Sequence, residues 1–223
     1  MKKYLDFIDF LKTIDLATYR SMFVGNKSVE EDLPKNCQIL PFIYKYYWND
    51  RNFLSYDNFI SMVVKELEVN LREYNKKRNG YDPEADKAYD LFLKGWTARQ
   101  YRTWTSIITQ IQLGYLFETK YPNQVIMSSE LDSQGIDIRI IGLNDFGIKK
   151  VTNRRDITIS DKEKEGVVPI RYWVPPSDIL KNPKTKNGSY KKPYLDFKND
   201  ERIDILSNGF IIFTEKVLNG TEK

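Results

Sequence analysis

Three side chains in this 223-residue sequence have the types and spacing for hydrolytic chemistry: Glu118, Asp137 and Lys149. Asp137 lies in Gly135-Ile136-Asp137-Ile138-Arg139-Ile140, where apolar and charged residues alternate and predict a strand over Ile136 to Ile141. Gly142-Leu143-Asn144-Asp145 is turn chemistry, and Phe146 to Val151 resumes the alternation, so the two runs predict a β-hairpin. In a regular hairpin Asp137 and Arg139 point away from the Ile136, Ile138 and Ile140 face. Gly147, Lys149 and Val151 share one face of the second strand, so Asp137 and Lys149 come near each other. A cross-strand surface ion pair, worth about 0.5 kcal/mol, would look the same in sequence.

Glu118 enters from a helix predicted over about Thr103 to Lys120. At 100° per residue it falls in the same stripe as Trp104, Ile107, Ile111 and Tyr115. A carboxylate on the core face of a last helical turn is desolvated and meets the negative end of the dipole. It therefore calls for a cation opposite: a divalent metal shared with Asp137, or a lysine. Fraying of the helix end into water is the remaining alternative. Two carboxylates that bind Mg²⁺, with an ammonium beside them, supply what phosphodiester hydrolysis needs: a polarised phosphoryl oxygen, an activated water and stabilisation of developing charge.

Composition removes the competing chemistries. With no histidine, Ser-His-Asp and Cys-His catalysis and His-ligated zinc are excluded. A single cysteine, Cys37, cannot form an intramolecular disulfide or a thiolate cluster, which points to a reducing cytoplasm. The net charge of +4 is too mild to define a partner. The first residues, MKKYLDFIDFLK, carry Asp6 and Asp9 within their apolar stretch and read as neither signal peptide nor membrane span.

The elements that must position these residues follow from periodicity. Helices are predicted over Tyr4 to Leu16, over Ser55 to Tyr74 (Phe59, Val63, Leu67, Leu71), and over Ala85 to Leu93, where Gly95 interrupts before the Thr103–Lys120 helix. The polar Asn75–Pro83 stretch, with Asn79-Gly80 and Pro83, predicts a break, and the aromatic run Phe42 to Trp48 predicts core or a dimer surface rather than base stacking. After Pro122 the period changes to two. Asn123–Met127, Val167–Val174 and Gly209–Thr214 join the hairpin as strands, with loop over Pro175-Pro176 and Lys181–Lys192. The sum is an α/β chain read as one domain, 1–223: a mainly helical N-terminal region (1–102) joined to a mixed core (103–223).

Helix acid, strand Asp, hairpin turn and strand Lys in this order resemble the PD-(D/E)XK nucleases typified by Type II restriction endonucleases. The block Gly147 to Arg155 is similar to the strand exit of the small enzymes grouped with the archaeal MjaI endonuclease, and Asn208–Thr214 is also similar to that group. The resemblance implies a restriction-endonuclease-like mixed β-sheet core flanked by helices. It also implies site-specific, Mg²⁺-dependent cleavage of double-stranded DNA, with Asp137 and Glu118 on the metal, Lys149 as catalytic cation and the Ile148 carbonyl completing the coordination. One position departs: the residue two before Lys149 is Gly147, not an acid. Glu118, Asp145 and Glu130 are the candidate substitutes. If none serves, the chain is a DNA-binding protein on a degraded nuclease fold.

DNA contacts are expected from Lys150, Asn153, Arg154 and Arg155, which leave the catalytic strand, and from a basic loop containing Lys184, Lys186 and Asn187. Lys76-Lys77-Arg78 is better read as a helix-terminal cation set. Cutting both strands of a palindrome implies a two-fold homodimer, with no membrane partner.

Overall fold

The computed structural model describes residues 1–24, 33–79, 85–157 and 165–220. Gly80 and Pro83, part of the predicted break, lie outside them. The chain divides into two compact units, one of Leu5–Ile111 with Ser207–Phe210, the other of Met1–Tyr4, Gln112–Leu206 and Ile211–Lys223.

The first unit is helical, as the N-terminal periodicity predicts. It contains α1 (Lys2–Thr13, from Leu5), α2 (Leu16–Phe23), α3 (Leu40–Ile43) running into a π-helical turn (Tyr44–Asn49), α4 (Tyr56–Asn79) and most of α5 (Ala85–Lys120). The predicted Tyr4–Leu16 helix is split because Asp15 caps α2, its Oδ1 accepting the Thr18 N–H at 3.0 Å. The C-terminal carbonyls at this split, of Leu11 and Ile14, accept from Asn208 Nδ2 at 2.7 and 2.9 Å. Aromatic side chains fill the core, and three of them pair their polar tips with backbone carbonyls. Tyr47 O–H donates to the Leu54 carbonyl, Tyr56 O–H to that of Thr97, and Trp96 Nε1–H to that of Cys37. Tyr44 and Tyr47, from the run Phe42–Trp48, are thus core.

Gly95 does not interrupt the chain: Ala85 to Lys120 is one helix of 36 residues. A mid-helix glycine costs about 1 kcal/mol relative to alanine, less than burial of its neighbours Phe92 and Trp96 returns. α4 also outruns its prediction, to Asn79, with Lys76, Lys77 and Arg78 in its last turn, where they complement the helix dipole.

The second unit holds β1 (Val125–Ile126), α6 (Ser129–Asp132), β2 (Ile138–Ile140), β3 (Asp145–Val151), β4 (Val167–Trp173), α7 (Ser177–Lys181), α8 (Lys192–Lys198), β5 (Ile203–Ile205) and β6 (Ile211–Phe213). The main sheet has the order β1-β2-β3-β4, antiparallel except for the parallel pair β3–β4, and β5–β6 form a separate antiparallel pair. This is the mixed α/β core expected. Phe146 of β3 is fully buried and stacks on Phe117 of α5, ring centres 5.0 Å apart. β5 was not predicted, because three residues flanked by charge carry too little period-two signal. Lys181–Lys192 is not a featureless loop: Lys184 and Tyr190 pair across a turn closed by Thr185 N–H on the Ser189 carbonyl at 2.8 Å. Among the described residues no helix is long and apolar enough to cross a membrane.

One buried polar contact ties helix to strand. Gln112, fully buried in α5, donates from Nε2 to the Phe213 carbonyl (3.0 Å) and accepts the Phe213 N–H at Oε1 (2.8 Å), completing an edge of β6 as a strand would. Gln112→Leu leaves both backbone groups unpaired in the core. The expected loss is about 2–4 kcal/mol, read as a lower urea midpoint with unchanged slope.

Candidate catalytic site

The predicted hairpin is present, with Ile138 opposite Phe146 and Arg139 opposite Asp145. Asp137 directly precedes β2, its N–H donating to the Phe146 carbonyl at 2.9 Å. Its Oδ2 accepts the Ile148 N–H. Lys149, the next residue along β3 from Ile148, is solvent-exposed. At Ile148, expected to offer its carbonyl, the structure shows the N–H holding Asp137 in place.

The second acid at Asp137 is Asp132. The one-turn helix α6 is capped at its start by Ser128, whose Oγ accepts the Leu131 N–H at 3.3 Å. It is closed at its end by Gly135 N–H on the Asp132 carbonyl (2.8 Å) and Ile136 N–H on that of Leu131 (3.0 Å). This Schellman turn needs a left-handed residue, supplied by Gly135 at φ 74°. It folds the chain back so that the Asp132 carboxyl comes close enough to the Asp137 side chain, five residues on, to raise its proton affinity. Asp137 is pushed up to about 6 from 3.8 by its burial and then by the charge and hydrogen bond of Asp132, against the opposing pull of the Ile148 N–H. Two carboxyls in contact resist joint ionisation, and a divalent cation between them removes that conflict. The pair thus fits a hard cation. Among the described residues no three His, Cys, Asp or Glu side chains gather, so such an ion would take its other ligands from backbone, water and substrate, as Mg²⁺ does.

The three expected substitutes for an acid at Gly147 are engaged elsewhere. Glu118 lies on the buried stripe of α5 as predicted, but the cation opposite it is a lysine: Lys3 Nζ meets its Oε1 at 2.9 Å, with the Glu118 side chain 12% exposed. Asp145 accepts two hydrogen bonds of 2.7 Å from the Arg139 guanidinium. Glu130 is exposed in the first turn of α6. Its carboxylate is held below the ordinary range by its own backbone N–H and then by the Ser128 and Ser129 hydroxyls. Asp132 was missed because its place depends on that turn, although Gly135 after a single helical turn is a readable sign of a chain reversal. Gly147 is not required sterically: a Cβ there would meet Val167 Cγ1 at 3.4 Å, ordinary contact.

Beyond Lys149, the side chains of Lys150, Asn153, Arg154 and Arg155 are exposed, the two arginines on a 3₁₀ turn (Arg154–Ile157). Arg154 Nη1 lies 3.1 Å from an Asp196 carboxylate oxygen. Lys184, Lys186 and Asn187 stand exposed on the 184–190 turn, with the Lys184 ammonium 5.2 Å from the centre of the Tyr190 ring.

Comparison with known proteins now adds to this geometry. Residues 5–223 match the family described as TaqI restriction endonuclease. The chain is 30% identical over 229 aligned residues to the Type II restriction enzyme TthHB8I of Thermus thermophilus, covering 97% of this chain and 85% of that protein. It is 28% identical over 226 to the Type II restriction enzyme TaqI of Thermus aquaticus, covering 96% and 84%. No solved structure matches the chain. The family match and the relatives define a restriction endonuclease, a site-specific deoxyribonuclease, and the mixed sheet agrees with it. The chain belongs to the TaqI restriction endonuclease family, and that membership rests on nearly its whole length. The PD-(D/E)XK likeness, by contrast, rests on residues 103–155.

The raised Asp137 value has a pH consequence. A carboxyl whose folded value lies above its unfolded one holds its proton more tightly when folded, so stability falls as pH rises from about 4 through 6. At neutral pH the metal-free protein carries the full cost. Asp137→Asn is therefore expected to stabilise the metal-free protein at neutral pH by about 1–3 kcal/mol, a gain that shrinks as pH falls through 6 towards 4. Urea unfolding at the two pH values checks it; a gain independent of pH contradicts it.

Proposed function

We propose that this chain hydrolyses phosphodiester bonds of double-stranded DNA at a defined sequence, with Mg²⁺ held by Asp137 and Asp132 in a PD-(D/E)XK-type centre. The observation that carries the reading is the Asp132–Asp137 carboxyl pair at the start of the β2–β3 hairpin, whose second strand bears the exposed Lys149. Asp132 takes the part that sequence assigned to Glu118, whose ion pair with Lys3 suits it to anchoring the end of α5. When bound, Mg²⁺ polarises the phosphoryl oxygen and lowers the pKa of the attacking water. The Ile148 N–H fixes Oδ2 of Asp137 and so orients the other oxygen of that carboxylate. The Ile148 carbonyl, on the same strand, is the proposed backbone ligand. The Lys149 ammonium stabilises charge that develops on the phosphoryl oxygens in the transition state.

Lys150, Asn153, Arg154 and Arg155, with Lys184, Lys186 and Asn187, are the proposed DNA contacts. Residues 1–223 act as one domain, two copies act as a homodimer on a palindromic site, and the enzyme works in the cytoplasm. The likeness to the MjaI group concerns the strand exit Gly147–Arg155 and Asn208–Thr214. Gly147 favours the reading of a DNA binder without catalysis, but Asp132 offers the acid that Gly147 lacks.

A plasmid digest separates the two readings: discrete fragments with Mg²⁺ and none with EDTA support the enzyme, retardation without cutting the binder. Asp137→Ala, Asp132→Ala and Lys149→Ala are each expected to slow cleavage at least about 100-fold while keeping salt-sensitive DNA binding. Glu118→Gln is expected to cut at a near-normal rate with a lowered melting temperature. Full cutting by Asp137→Ala, or loss of cutting only in Glu118→Gln, contradicts these roles.

A further inference from the structure

The parallel strands β3 and β4 end together, Val151 beside Trp173, and a cavity of about 620 Å³ opens at their carboxyl ends. Crevices at this end of parallel strands are the usual ligand sites of open α/β sheets, and the volume lies within the range of about 300–1,000 Å³ that encloses a small ligand. Its charge is unbalanced, with Arg154, Arg155, Lys192 and Arg202 facing two carboxylates, Asp196 and Asp200. Those carboxylates hold the cations in place. Asp196 is met by Arg154 at 3.1 Å and Lys192 at 3.0 Å, and Asp200 by two atoms of the Arg202 guanidinium, each at 2.8 Å. The remaining wall is aromatic. Phe197 is buried, and Trp173 is fixed by its Nε1–H on the Thr152 carbonyl at 3.2 Å.

We infer that this cavity seats one nucleotide of the DNA strand, beyond the cleavage centre. Its phosphate lies among Arg154, Arg155 and Lys192, and its base against Trp173. Cations alone would suit any anion; the aromatic wall adds a face for stacking a base. DNA is the source because β3, which carries Lys149, runs on through Lys150 directly into Arg154. The inference rests on the nuclease reading.

The test is equilibrium binding of the full-length protein to a mixed-sequence DNA duplex in EDTA across a salt series, with tryptophan fluorescence recorded. Arg155→Ala is expected to lower the slope of log affinity against log salt by about one, while Arg155→Lys keeps it. DNA is expected to quench part of the emission, and that part to vanish in Trp173→Phe. An unchanged slope in Arg155→Ala, or equal quenching in Trp173→Phe, overturns the inference while wild-type cleavage leaves the nuclease reading standing. Quenching by deoxyadenosine monophosphate but not by DNA overturns it in favour of a free-nucleotide site. Absence of salt-dependent DNA binding by the wild type overturns both.

Discussion

The carboxyl groups of Asp132 and Asp137 lie close together, the latter largely withdrawn from water, and everything assigned to the site follows from that proximity. Burial first, and then the neighbouring Asp132, raise Asp137 well above an ordinary carboxylate. A doubly charged cation reverses the balance and makes joint ionisation favourable. On the proposed reading, the same geometry that destabilises the metal-free protein prepares a metal site, an instance of stability given up where chemistry is done.

Holding two like charges together requires rigid supports, and each comes from a different element. The Schellman turn at Gly135 aims Asp132, the β2–β3 ladder aims Asp137, and the Ile148 N–H pins one of its oxygens. Behind the sheet, Phe146 packs on Phe117 of α5, and farther along that helix Glu118 is closed off by Lys3. The chain therefore separates its acids by role. Asp145 and Glu118 are neutralised by a guanidinium and an ammonium, whereas Asp132 and Asp137 face each other.

Much of this was legible in the residues. Alternation over Ile136–Ile141 and Phe146–Val151 predicted the hairpin and its turn, because period two is a local signal. The Trp104–Tyr115 stripe predicted both the core face of α5 and the need for a cation at Glu118. Which cation was not legible, since Lys3 lies 115 residues away in sequence. Asp132 escaped because turn geometry, not periodicity, brings it to Asp137. Gly95 misled because a local helix penalty is overridden by tertiary burial. The long β3–β4 pairing was readable as strands but not as parallel, and so the cavity at their ends could not be foreseen.

A cation shared by the Asp132 and Asp137 carboxylates is the central proposal. Its most direct test is an anomalous difference map from crystals of the full-length protein grown with Mn²⁺ in place of Mg²⁺. The prediction is a peak within coordination distance of both the Asp132 and Asp137 carboxylates. A peak at Glu118 in place of Lys3, or no peak at the Asp132–Asp137 pair, would contradict it.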